Sequence, residues 1–229
     1  MTDITTQGLD RSRVPGPATP KDMSFPDYFE HQLGNGLRVI VYEEHALPLA
    51  AVSVVAHGGA SADGPLPGIS TMMAELLIKG SANRNANDIV EEIEFLGGSI
   101  GSGAGWDSTS VGLNILSRHL PSAFAVLADV IRSPAFPEEE IERVREQRLA
   151  DILQRKANPS ALAHDRFCAA VYGAHPYAQP LDGHASIVAA LADAEMRSLH
   201  AQLFAPDNMF VIGVGDIDPE GFVRQCEHA

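Results

Sequence analysis

Three things are scarce in this 229-residue chain, and each scarcity excludes a class of protein. Cysteine is one of them. Cys168 and Cys226 cannot build a disulfide framework and carry no C-x-x-C spacing, so they read as two reduced thiols. Long hydrophobic runs are another, since no window approaches the ~18 consecutive apolar residues of a membrane-spanning helix. Positive charge is the third. Sixteen Lys and Arg stand against thirty Asp and Glu, a formal net charge of −14, and no basic cluster interrupts that balance. Such a surface repels nucleic acid and anionic membranes, so neither is an expected partner. The first 24 residues contain Pro15, Pro17 and Pro20 but no apolar stretch behind basic residues. They are expected to be a flexible arm rather than a signal peptide, which favours the cytoplasm and leaves the periplasm open.

What is present is 45% apolar residues, enough for a real core. Leu37 to Tyr42 alternates behind the turn at Gly34, Asn35 and Gly36, and predicts a strand. Leu49 to Ala56 predicts a second, more buried one, ending at His57. From Gly68 to Lys79 the period becomes helical, with Gly80 expected as the C-terminal cap. Asn87 is expected to cap a helix over 88–96. Glycine-rich 98–105 then leads to a strand over 110–116. Pro121 opens a helix, Glu138 to Lys156 forms a long charged one with Glu139 and Arg143 one turn apart, and helical segments are expected near 160–172, 184–191 and 193–204. Met209 to Gly215 is a final strand, and a last helix starts after Pro219. The order predicts an α+β fold, a mixed and mostly antiparallel sheet covered by helices on one face, with residues 25–229 as one domain.

Several motifs fail on context. Gly97 to Gly101 matches G-x-S-x-G, but a helix precedes the serine and a strand follows, the reverse of a nucleophile elbow. The glycine-rich run has no G-x-G-x-x-G register and no Lys-Ser/Thr, so no phosphate cradle is supported. No two of the nine histidines lie three or four residues apart, so no helix offers a His pair. His57, at a strand end beside Gly58 and Gly59, is the one to watch.

The informative stretch is Gly68 to Ser81, with Leu33 to Val39 upstream. Together with Leu96 to Gly98, Ser133 to Phe136, Glu142 and Arg143, Asn158 and Pro159, His175 and Pro176, and the segment 208–216, it resembles the insulinase or pitrilysin (M16) zinc peptidases. The resemblance covers about residues 30–220 in order. It implies a metallohydrolase half-domain of the M16/LuxS-like kind, the N-terminal one of two similar halves, with the second expected beyond position 229. Active members carry H-x-x-E-H on this helix, so that two imidazoles one turn apart grip zinc while the glutamate deprotonates bound water. A later helix supplies a third, carboxylate ligand.

Laid onto this chain, the resemblance puts Thr71 at the first histidine position, Ala74 at the general base, Glu75 at the second histidine and Asp151 at the later carboxylate. A hydroxyl, a methyl and two acids are a poor zinc set, and Ala74 cannot accept a proton. Loss of a positioned base alone costs ~10²–10⁴ in rate. No cofactor is therefore expected here, although relatives use zinc. Ordinary structural readings also fit, with Glu75 pairing Lys79 and Asp151 pairing Arg155 along their helices. The resemblance then implies a non-catalytic subunit that pairs with an active zinc peptidase, or with a second copy of itself, and helps enclose peptide. Residues Gly101, Ser102 and Gly103 fall where family members offer a sheet edge to an extended peptide, although active relatives carry Asn-Ala where Gly101 and Ser102 stand. The competing reading of that stretch is a flexible turn. Two alternatives remain at this point: an active metalloendopeptidase using Glu75, Asp151 and His57, or a pure scaffold.

Overall fold

The computed structural model describes residues 26–229, so the expected arm at 1–24 lies outside the described residues. Six strands form one sheet: β1 (Phe29–Gln32), β2 (Arg38–Glu43), β3 (Leu49–His57), β4 (Ser99–Ala104), β5 (Ser108–Leu116) and β6 (Met209–Gly215), in the order β1-β2-β6-β3-β5-β4. The β2–β6 pair is parallel and the others are antiparallel. The α+β expectation is therefore met. Eight α-helices accompany the sheet among the described residues: α1 (Ile69–Leu76), α2 (Ala86–Phe95), α3 (Leu120–Arg132), α4 (Glu138–Lys156), α5 (Pro159–Tyr172), α6 (Ala185–Val188), α7 (Asp193–Leu203) and α8 (Pro219–His228).

Strand alternation decides which face is covered. On β3, Ala50, Val52, Val54 and Ala56 are buried, while Ala51, Ser53, Val55 and His57 face the other way. The buried row continues through Val39 and Val41 of β2 and Val111 and Leu113 of β5. Against it pack Met72, Met73 and Leu76 of α1 and the apolar stripe of α3, so the helices share one face. Phe124 of α3 and Phe222 of α8 meet edge to face at 5.5 Å and close the far end of that layer.

Several local expectations are corrected. Helix α1 stops at Leu76 rather than running to Lys79, because Leu77 and Lys79 donate to Ala74 and Leu76 in tightened i→i+3 bonds. Gly80, at φ +146°, is not its cap but starts a bridge to Asn85. The cap of α2 is Asn85, not Asn87. Asn85 accepts from the Asp88 amide while the Asp88 carboxylate accepts from the Asn85 amide, a reciprocal box that sets the start two residues earlier. Arg143 pairs with Glu140 at 2.6 Å, one residue nearer than Glu139. The helix expected over 184–191 shrinks to α6, four residues long. The glycine-rich segment is not a flexible turn: β4 is regular, pairing Gly101 with Gly112 and Gly103 with Ser110.

Candidate active-site region of α1 and α4

Helix α1 starts on a buried anchor. Asp63, 6% exposed, accepts from the amides of Gly68 at 2.7 Å and Ser70 at 3.2 Å and from the Ser70 hydroxyl. These bonds satisfy donors that a helix N-terminus leaves orphaned. Burial pushes the Asp63 carboxyl above its ordinary pKa, and the hydrogen bonds it accepts oppose that rise. Gly68 has φ +99° and Gly183 has φ +75°, and the two backbones pass so closely that a Cβ on Gly183 would overlap the Pro67 carbonyl oxygen. The loop carrying Asp182 is thereby pressed against the head of α1.

The motif positions can now be placed. Thr71 is 6% exposed and its hydroxyl donates to the Gly68 carbonyl at 3.0 Å, inside its own helix. Ala74 is wholly buried in the core. Glu75 is partly exposed, and its partner is Arg148 of α4 at 2.9 Å, not Lys79. Arg148 in turn reaches Asp182 at 2.6 Å. The expected Asp151–Arg155 pair is absent too: Arg155 takes Asp165 of α5 at 2.6 Å, and Asp151 is exposed. A guanidinium thus lies between the two carboxylates that face each other from α1 and the 182 loop.

These residues do not fit zinc. The hydroxyl is spent within its helix, the methyl offers no lone pair, and Glu75 is matched by a cation on a neighbouring helix. Nor is the trio Glu75, Asp151 and His57 brought together. Alternation puts His57 on the opposite sheet face from the helices, where its ring lies 5.4 Å from that of Phe210. Among the described residues no group of three or more His, Cys, Asp and Glu is spaced to hold a metal.

Beside this region runs β4, at the edge of the sheet, with α1 packed along it. Among the described residues β5 is its only strand neighbour, so the far side of β4 presents backbone groups without a strand partner there. A Cβ on Gly101 or Gly103 would meet only open space. Ser102 points toward the helices opposite Val111, and its hydroxyl is buried with no hydrogen-bond partner, alone in this among the described side chains.

Residues 38–184 match the Insulinase (Peptidase family M16) profile. The chain belongs to the M16 peptidase family. An uncharacterized zinc protease of Mycobacterium tuberculosis is 29% identical over 192 residues, covering 83% of this chain and 44% of that protein. The crystal structure of a peptidase M16 inactive domain from Pseudomonas fluorescens superposes with a TM-score of 0.85 at 28% identity, over 89% of this chain and 50% of that one. A protease from Helicobacter pylori superposes with a TM-score of 0.83 at 21% identity, again over 89% and 50%, a likeness of fold. This M16 chain spans about half the length of the relatives it matches.

Arg148, Asp182, Gly183 and Asp63 were not singled out by sequence reasoning. Asp182 and Gly183 form an Asp-Gly pair, a turn signal that could have drawn attention. Nothing local marks Arg148 as the partner of a residue 73 positions earlier. Among the described residues no helix is long and apolar enough to cross a membrane.

Proposed function

We propose that this chain is the N-terminal half-domain of a non-catalytic M16 subunit, which pairs with an active zinc peptidase or with a second copy of itself and helps hold an extended peptide. One observation carries the reading: the Arg148 guanidinium 2.9 Å from Glu75, a positive charge set against the carboxylate that stands at a metal-ligand position of the family. A dication beside that guanidinium would meet like charge, and Ala74 leaves no base to activate water. The retained work is then backbone recognition. A peptide strand could add to β4 through main-chain hydrogen bonds, which need no catalytic side chain. The bare glycines of β4, on an edge without a second strand among the described residues, support that role. The M16 peptidase inactive domain from Pseudomonas fluorescens is a precedent for such a part.

The test is metal analysis of the purified chain and a peptide-cleavage assay with and without chelator, repeated after co-expression with an H-x-x-E-H-bearing M16 subunit. The expected result is no stoichiometric zinc and no cleavage from the chain alone, with co-purification of the active subunit. Stoichiometric zinc bound through Glu75, with chelator-sensitive cleavage by the chain alone, would overturn the proposal.

A further inference from the structure

Helix α5 is unusual in this fold because none of its residues is buried. It leans on α4 and, with the loop at 178–186, borders a half-open concavity of about 750 Å³, within the size range of ligand sites. The walls are largely apolar, from Ile152, Leu162, Ala169, Ala178 and Pro180. Two acids also line it, and each is already matched: Asp165 by Arg155 at 2.6 Å and Asp182 by Arg148 at 2.6 Å. The cations Lys156 and Arg166 line the same cavity and have no carboxylate within 4.0 Å among the described residues. In a chain with nearly twice as many acids as bases, two unmatched cations on one apolar concavity are a specific arrangement. His184 sits on the rim, its Nε2 2.7 Å from the Gln179 side-chain oxygen.

Such a site suits a ligand with an apolar body and one carboxylate. The cavity wall at Asp182 and Gly183 abuts Pro67 and Gly68 at the head of α1, which lies along β4. We propose that this cavity takes the C-terminus of a peptide, with the terminal side chain against Ile152 and Leu162 and the α-carboxylate on Lys156 and Arg166. The inference rests on the peptide-binding part of the function proposed above and adds to it an end-selective recognition of the free carboxylate. A point-charge ammonium and a forked guanidinium together offer several donors to the two carboxylate oxygens.

The experiment uses the full chain and fluorescein-labelled hexapeptides ending in leucine, read by polarisation. One probe carries a free C-terminus, one is amidated, and one is amidated with an internal glutamate. The expected result is that the free acid binds about tenfold or more tightly than either amide, and that added salt weakens it, because charge-assisted bonds are lost. The K156A/R166A variant should bring the free acid down to the level of the amide, with an unchanged thermal melt since both side chains are exposed. Equal binding of acid and amide, equal binding of the internal-glutamate probe, or an unaffected variant would each overturn the inference while leaving peptide binding standing. No binding of any probe would overturn both the inference and the peptide-binding role, whereas the zinc and cleavage assays above test the rest.

Discussion

Arg148 and Glu75 face each other across α4 and α1 at 2.9 Å, with their side chains only 15% and 31% exposed. The same guanidinium holds Asp182 at 2.6 Å, so one cation fastens three chain segments: the motif helix, the long charged helix and the loop pinned by Gly183. Arg148→Ala leaves two facing carboxylates without their counter-ion. It should lower the unfolding free energy by about 1–3 kcal/mol. Urea denaturation of Arg148→Ala, Glu75→Gln and the double variant checks this: additive losses would mean the pair contributes nothing.

Gly183 should not tolerate a side chain. Its φ is +75° and the added methyl would strike the Pro67 carbonyl, so the loop or the head of α1 must move. Gly183→Ala is expected to cost about 2–4 kcal/mol. A thermal melt within a degree of the parent would show that the close approach is not real.

The Asp63 anchor gives a pH signature. Burial raises its pKa in the fold above the unfolded value, so the folded state binds this proton more tightly. That contribution is fully present below the unfolded carboxylate pKa of about 4 and is lost as pH rises through the raised folded value. Asp63→Asn cannot titrate. The stability difference, wild type minus Asp63→Asn, should therefore fall as pH climbs from about 4, measured by urea titration across that range. A difference that grows with pH would contradict the burial of this group.

The two cysteines should separate chemically. Cys226 is buried in the core beside α3, and desolvation pushes its thiol up to about 12, so it stays protonated and unreactive in the fold. Cys168 is partly exposed on α5, 3.5 Å from His164. Iodoacetamide at pH 8 should add one label to the native chain, at Cys168, and two in urea, read by peptide mass spectrometry. Equal labelling of both in the native state would refute the packing of α8.

Much of the fold is legible in the sequence, and the reason is local. The alternation of 37–42 and 49–56 and the stripe of Phe124, Leu127, Val130 and Ile131 each specify one face, which sheet and helix geometry convert directly into burial. Helix ends are less legible, because several residues compete to cap. Asn85 and Asn87 have the same chemistry, and Asp88 decides between them only once both lie in helical register. Ion pairs are the least legible. The i,i+4 rule offers Lys79 to Glu75 and Arg155 to Asp151, yet in both cases an arginine contact between two helices prevails. In both cases the arginine joins helices that tertiary packing has already brought together, so its side chain is partly desolvated and its bond to the acid is stronger than an exposed pair along one helix.

The amino-acid sequence by itself determines which groups stand at the positions singled out: a hydroxyl at 71, a methyl at 74 and a carboxylate at 75 on one helix, and a carboxylate at 151 on the long charged one, a chemistry that needs no coordinates to read. It also determines the alternation that puts His57 on the face away from α1. Only the tertiary structure decides what each of those groups meets, because the choice depends on helix crossings that bring residues dozens of positions apart within hydrogen-bond reach. That is why Glu75 has a guanidinium before it, and why β4, read from sequence as either a loop or an edge, lies open at the side of the sheet.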